Sequence, residues 1–240
     1  LDVAQKSSVS LAGVPSDIQP FIEKSISTTG TIDTLIYDDF QNNKSWNEYF
    51  LNAKGTAETK YKPIKYNFYP TRDLNVVSGT SVSLSGYELD NIAVADVSNN
   101  FQILSTPPLD SVGDQKTLVL LIDFLDSGER PFTKEEAYDI IFSANSSFQK
   151  FYKENSYGKV SFSGDVIGWY TLNRNKGDCI IKDETDLSKI VIENEIDLKQ
   201  YSRLIILAHL CTGGVSNIGI ATHKIGDQVY KFAKSQVGTY

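Results

Sequence analysis

Methionine is missing altogether from these 240 residues, and no signal-peptide pattern precedes Asp2. The chain is therefore expected to be a piece of a longer product cut inside a domain, with any leader removed or upstream. No G-x-S-x-G elbow is present to expose a serine nucleophile. Neither a P-loop nor G-x-G-x-x-G occurs, which removes the usual phosphate cradles. The longest purely apolar run, Leu118 to Ile122, falls far short of the roughly 20 residues of a membrane-spanning helix. Basic clusters are lacking too: 23 Lys and Arg stand against 30 Asp and Glu, a net charge of -7. Phosphates would be repelled, so no nucleic-acid partner is expected. Asp123 and Asp126 form an acidic pair, but nothing in the sequence positions the second group that carboxylate catalysis needs.

What is present is an ordinary globular composition, 40% hydrophobic and 22% charged, in a chain long enough for one large domain or two smaller ones. Residues 1–29 form a polar lead-in, in which Ser16 to Ser27 is expected to make a short helix broken at Pro20. From residue 30 to 108 short alternating runs dominate. Thr31–Tyr37, Tyr61–Tyr69, Ser81–Leu89, Asn91–Val97 and Phe101–Leu104 each read as a strand. Asn42-Asn43, Ser78-Gly79, Asp90-Asn91 and Asn99-Asn100 mark the turns. This pattern predicts a small antiparallel barrel or sandwich, with Gly79 and Gly86 where a positive φ costs little. Ser105 to Asp114, stiffened by Pro107-Pro108, is the best domain boundary.

Residues 115–240 have a different rhythm. Thr117 to Phe124 is nearly continuously apolar, as for a strand covered on both faces. Thr133 and Glu136 form a capping box, and apolar residues from Ala137 to Tyr152 fall on one helical face, predicting a helix from Lys134 to Glu154. Gly158 suits the left-handed stop, and Lys159 to Trp169 reads as a strand with a bulge at Gly164-Asp165. A second helix is expected over Thr185–Glu193 and a buried strand over Ser202–Leu210. Ile218, Gly219, Ile220, Ala221 and Thr222 read as a glycine-bounded edge strand, and Ser235 to Tyr240 as a further strand or the approach to a helix. His209 lies near a strand end and His223 is expected in a loop; neither is followed by Glu, and both read as structural or surface histidines. Cys179 and Cys211 are either free core thiols or, in an oxidising compartment, a disulfide.

The string FYKENSYGKVSFSGDVIGWY, Phe151 to Tyr170, resembles the corresponding part of secreted zinc metallopeptidases of the gametolysin and immune-inhibitor-A type. The surrounding run Thr117 to Leu172 resembles their opening strand–helix–strand. Looser matches lie at YDDFQNNKSWNEYFL (Tyr37 to Leu51) and LNVVSGTSVSLSGYELDN (Leu74 to Asn91). The resemblance implies an α+β chain: a β-rich pro- or accessory domain over 30–108, then over 115–240 the upper sheet-and-helix half of a zincin-like domain. It implies an extracellular or cell-surface endopeptidase that uses zinc in its full-length form and acts on protein or peptide substrates. Ile218 to Thr222 would then pair with the backbone of an extended substrate.

The H-E-x-x-H helix of such enzymes, which places two zinc ligands on one face, has no counterpart here. No catalytic or metal residue is therefore carried over, and the fragment is expected to be inactive and to bind no zinc. No cysteine precedes Cys179 to act as an inhibitory zinc ligand, and Asp38 and Asp39, the carboxylates that remain for that role, read as turn residues. A catalytically dead relative used for adhesion or protein binding is the alternative.

Overall fold

Alternating side chains build six strands in the first half of the computed structural model, which describes residues 16, 24–54, 64–107, 111–177 and 179–239. They are β1 (Lys24–Asp39), β2 (Lys44–Ala53), β3 (Ile64–Pro70), β4 (Thr80–Leu89), β5 (Ile92–Ala95) and β6 (Phe101–Ser105). β2 is a strand that the sequence pattern did not mark. β1 neighbours β2, β2 pairs antiparallel with β3, β3 runs parallel to β5, and β5 pairs antiparallel with β4. β4 returns to β1 in a register from Lys24↔Glu88 to Ile32↔Thr80, which closes a barrel, and β6 lies against β4. Closure removes free edges. Of the two expected architectures it is the barrel, with one parallel pair among antiparallel ones. Ile32, Leu51, Phe68, Val82, Leu84 and Ala93 fill its interior. Gly79 has φ +86°, as expected. Gly86 serves a different purpose, since a Cβ there would lie 2.2 Å from the Val94 carbonyl oxygen. The expected helix over 16–27 gives way to β1 from Lys24 onward. Its residues 17–23 lie outside the described residues, as do 61–63 of the expected second strand, 108–110 of the linker and Tyr240.

The chain divides into two compact units, and the barrel belongs to the first. Ile36–Trp46, the tip of the β1–β2 hairpin, groups with the second unit. That unit holds β7 (Gly113–Phe124), β8 (Val160–Leu172), β9 (Arg203–His209), β10 (Gly214–Asn217), β11 (Ala221–Ile225) and β12 (Gln228–Thr239). β12, β9, β7 and β8 lie side by side and parallel. β10 and β11 both run antiparallel to β12, along its carboxyl and amino halves respectively.

Two apolar layers cover this sheet. Leu118, Leu120, Ile122, Leu204 and Ile206 face Leu187, Ile190 and Val191, whereas Val119, Leu121, Ile205 and Leu207 face Ala137 and Ile141. β7 contributes to both layers, which is why its sequence is apolar without alternation. Leu187 ends a π-helical turn, Asp183–Leu187, that leads into α3 (Ser188–Glu193). No helix among the described residues is long and apolar enough to cross a membrane.

The expected helix from Lys134 to Glu154 is broken in two. The capping box forms as expected: Thr133 accepts from the Glu136 amide at 3.1 Å, and the Glu136 carboxylate accepts from the Thr133 amide at 2.7 Å. The α1 helix it starts (Lys134–Tyr138) widens into a π turn, Asp139–Ser143, and Ala144 is extended. A second cap, Ser147, starts the next helix, α2 (Phe148–Asn155). The stretch Ser143 to Ser147 explains the break: the Ser143 hydroxyl donates to the Asp139 carboxylate, and Ser147 accepts from the Lys150 amide as the cap of a new helix. The expected bulge is displaced as well. Register slips between Leu121 and Ile122, opposite Gly168–Tyr170, rather than at Gly164-Asp165.

Candidate functional site

β11 has the sequence Ala-Thr-His-Lys-Ile, with Ala221, His223 and Ile225 buried and Thr222 and Lys224 exposed. This is the period-two pattern of a half-buried strand. It pairs with β12 from Ala221↔Phe232 to Ile225↔Gln228 and with no other strand among the described residues. One edge of its backbone is therefore left to a further strand.

The five residues expected to form this edge are divided. Ile218 and Gly219 lie in the connection between β10 and β11, where Gly219 adopts φ +87°, and Ile220 follows it. Ala221 and Thr222 are in β11 itself. Gly219, expected inside the edge strand, is instead the pivot between two strands on the same partner.

His223, expected in a loop, lies within β11 and is buried. Its Nδ1 is 2.7 Å from Asp183 Oδ2, and its ring stacks on Phe232 with 4.4 Å between centroids. Lys234 Nζ donates to the other Asp183 oxygen at 2.5 Å. Burial alone would raise the Asp183 pKa. The hydrogen bond from His223 and the charge of Lys234 outweigh it and hold the carboxyl at about 2. Asp183 and Lys234 escaped notice in the sequence. The alternation across Ala221–Ile225 could have exposed the strand, but no local pattern links His223 to an acid 40 positions earlier.

A covalent tie lies next to this network. Cys179 and Cys211 form a disulfide with Cα atoms 5.6 Å apart. Gln236 of β12 donates to the Cys179 carbonyl at 2.6 Å and accepts from the Ile181 amide at 2.9 Å. The segment bearing Asp183 is thus held by both β11 and β12.

The zinc that the family resemblance implies does not fit these residues. His209 ends β9 on the Leu207 face and touches Trp169, whereas His223 stacks on Phe232 in the opposite apolar layer. No group of three or more His, Cys, Asp or Glu among the described residues is placed to hold a metal ion. Asp39 is a turn acid: it accepts from the Gln41 and Asn42 amides at 3.1 Å and from the Asn42 side chain at 2.6 Å. Those bonds, chiefly to Asn42, lower its pKa. No protein-family model matches the chain, and no curated protein sequence matches it.

Proposed function

We propose that the second unit is the upper part of a zincin-like endopeptidase domain of the gametolysin and immune-inhibitor-A type, and that β11 receives an extended peptide. One observation carries the reading: β11, antiparallel to the amino half of β12, pairs with no other strand among the described residues and so keeps one backbone edge open. An incoming peptide can extend such a sheet through main-chain hydrogen bonds, with its alternate side chains resting on Thr222 and Lys224. The order β7, helices, β8, α3, β9 supports the reading, with β10 standing between β9 and the edge strand β11. The disulfide suits a secreted protein. No hydrolytic step is assigned to these residues, because none of them forms a zinc ligand set.

Edge pairing needs no metal, so the same observation also serves a protein-binding relative without activity. The test has two arms. Unfolded casein is incubated with the protein as encoded in full, with and without a zinc chelator. Amide hydrogen exchange of 221–225 is then followed as casein-derived peptides are added. Chelator-sensitive cleavage with slowed exchange supports the peptidase. Slowed exchange without cleavage leaves the binding module, and unchanged exchange removes the edge-strand role.

A further inference from the structure

Four buried side-chain polar atoms among the described residues lack a hydrogen-bond partner: Asp123 Oδ1, His209 Nδ1, Thr239 Oγ1 and His223 Nε2. The first three fall in one row across the sheet. Thr239 of β12 is in register with His209 of β9, and the pair Ile122↔Ala208 puts Asp123 of β7 next to His209 on its other side. Ile122 and Ala208 face one apolar layer, so the residues that follow them, Asp123 and His209, face the other. Asp123 is 5% exposed and His209 3% exposed. Buried polar atoms are seldom left unsatisfied, and three in one row at the carboxyl ends of parallel strands stand where open sheets of this kind bind ligands.

The chemistry of the row narrows its ligand. Arg130 Nε donates to Asp123 Oδ2 at 2.7 Å, so only Oδ1 remains, and an ionised carboxylate only accepts. Imidazole Nδ1 accepts in the tautomer protonated at Nε2, and a threonine hydroxyl also accepts. All three atoms can therefore be satisfied by one kind of partner, a donor. Neighbouring strands lie about 4.8 Å apart, so a compact donor group over His209, the middle residue, has Asp123 on one side and Thr239 on the other. Charge then separates cationic from neutral donors. Asp123, Asp126 and Glu129 stand in one short segment against the single Arg130. Arg130 also lies over the Trp169 ring at 5.8 Å, and Trp169 meets His209 edge-on at 6.1 Å, so the row has an aromatic wall.

We propose that Asp123, His209 and Thr239 form a binding site for a primary ammonium group, with Arg130 and Trp169 holding its first two members in place. Such a group has three donors and no acceptor, and carries the charge that this acidic segment favours. A free amine and a lysine side chain share this chemistry.

The chain has two histidines, so a histidine-labelled sample gives two imidazole signal sets, His209 in the row and His223 as an internal control. Methylammonium, tetramethylammonium and N-methylacetamide are titrated separately and the ring nitrogens followed by NMR. The expected result is a saturable shift at His209 with methylammonium alone, half-complete on the order of 10 mM, with His223 unmoved. Thr239→Val weakens the response about 2- to 10-fold while the His223 signals report an intact fold. Nα-acetyl-lysine methylamide distinguishes the sources: tighter binding than methylammonium assigns a protein lysine, equal binding a free amine. No shift with any amine, the same shift with tetramethylammonium or the neutral amide, or a one-to-one zinc complex at His209 overturns the proposal.

Discussion

Asp183 shows how a single residue comes to depend on its surroundings. Burial opposes its charge, yet His223 and Lys234 hold its pKa at about 2, below the ordinary 3.8. A carboxyl depressed on folding contributes stability that is present above its unfolded pKa and is lost as pH falls through the folded value. The shift is equivalent to roughly 2 kcal/mol. Asp183→Asn is therefore expected to lower unfolding stability by about that amount at pH 6. The gap between variant and parent should close as pH falls from 4 to 2. Urea unfolding across that range measures it, and a gap independent of pH would contradict the assignment.

Elements in the second unit are set by competition between local capping and long-range packing. Apolar periodicity favours one helix from Lys134 to Glu154, but Ser147 caps a new helix and the Ser143 hydroxyl before it bonds the Asp139 carboxylate. α2 has no fully buried residue; Phe148 and Tyr152 pack on Phe162 of β8 at 4.8 and 5.3 Å between centroids, while Phe151 is 60% exposed. With so little buried surface to secure it, the helix relies on its cap. Ser147→Ala should cost about 1 kcal/mol. The loss should appear as faster amide exchange over Phe148–Asn155 while β7 and β9 keep their protection. β11 depends on a different balance, since its inward alternation makes it a strand and only its pairing with β12 sets which edge stays open.

At the scale of the molecule, the two units differ in what closes them. The barrel closes through the β1–β4 pairing, and both cysteines lie in the second unit. Their bridge spans 32 positions, for which chain-entropy reasoning gives roughly 3 to 4 kcal/mol. Replacing both with serine should lower the melting temperature of the second unit and leave the barrel's unfolding unchanged. Tyrosine and tryptophan fluorescence with residue-resolved exchange separates the two responses; equal loss in both units would count against it.

Features that depend on a few neighbouring residues are legible in the sequence itself. The capping box at Thr133 and Glu136, the continuous apolar run of β7, the left-handed Gly158 and the turns at Asn43 and Asp90 all follow from local sterics and hydrogen bonding. Barrel closure, the pivot at Gly219 and the pairing of Asp183 with His223 do not, because each joins segments whose register local propensity leaves free. The same holds for Asp123, His209 and Thr239. Each is an ordinary polar residue near a strand end in the sequence, and parallel pairing of β7, β9 and β12 alone makes them a row.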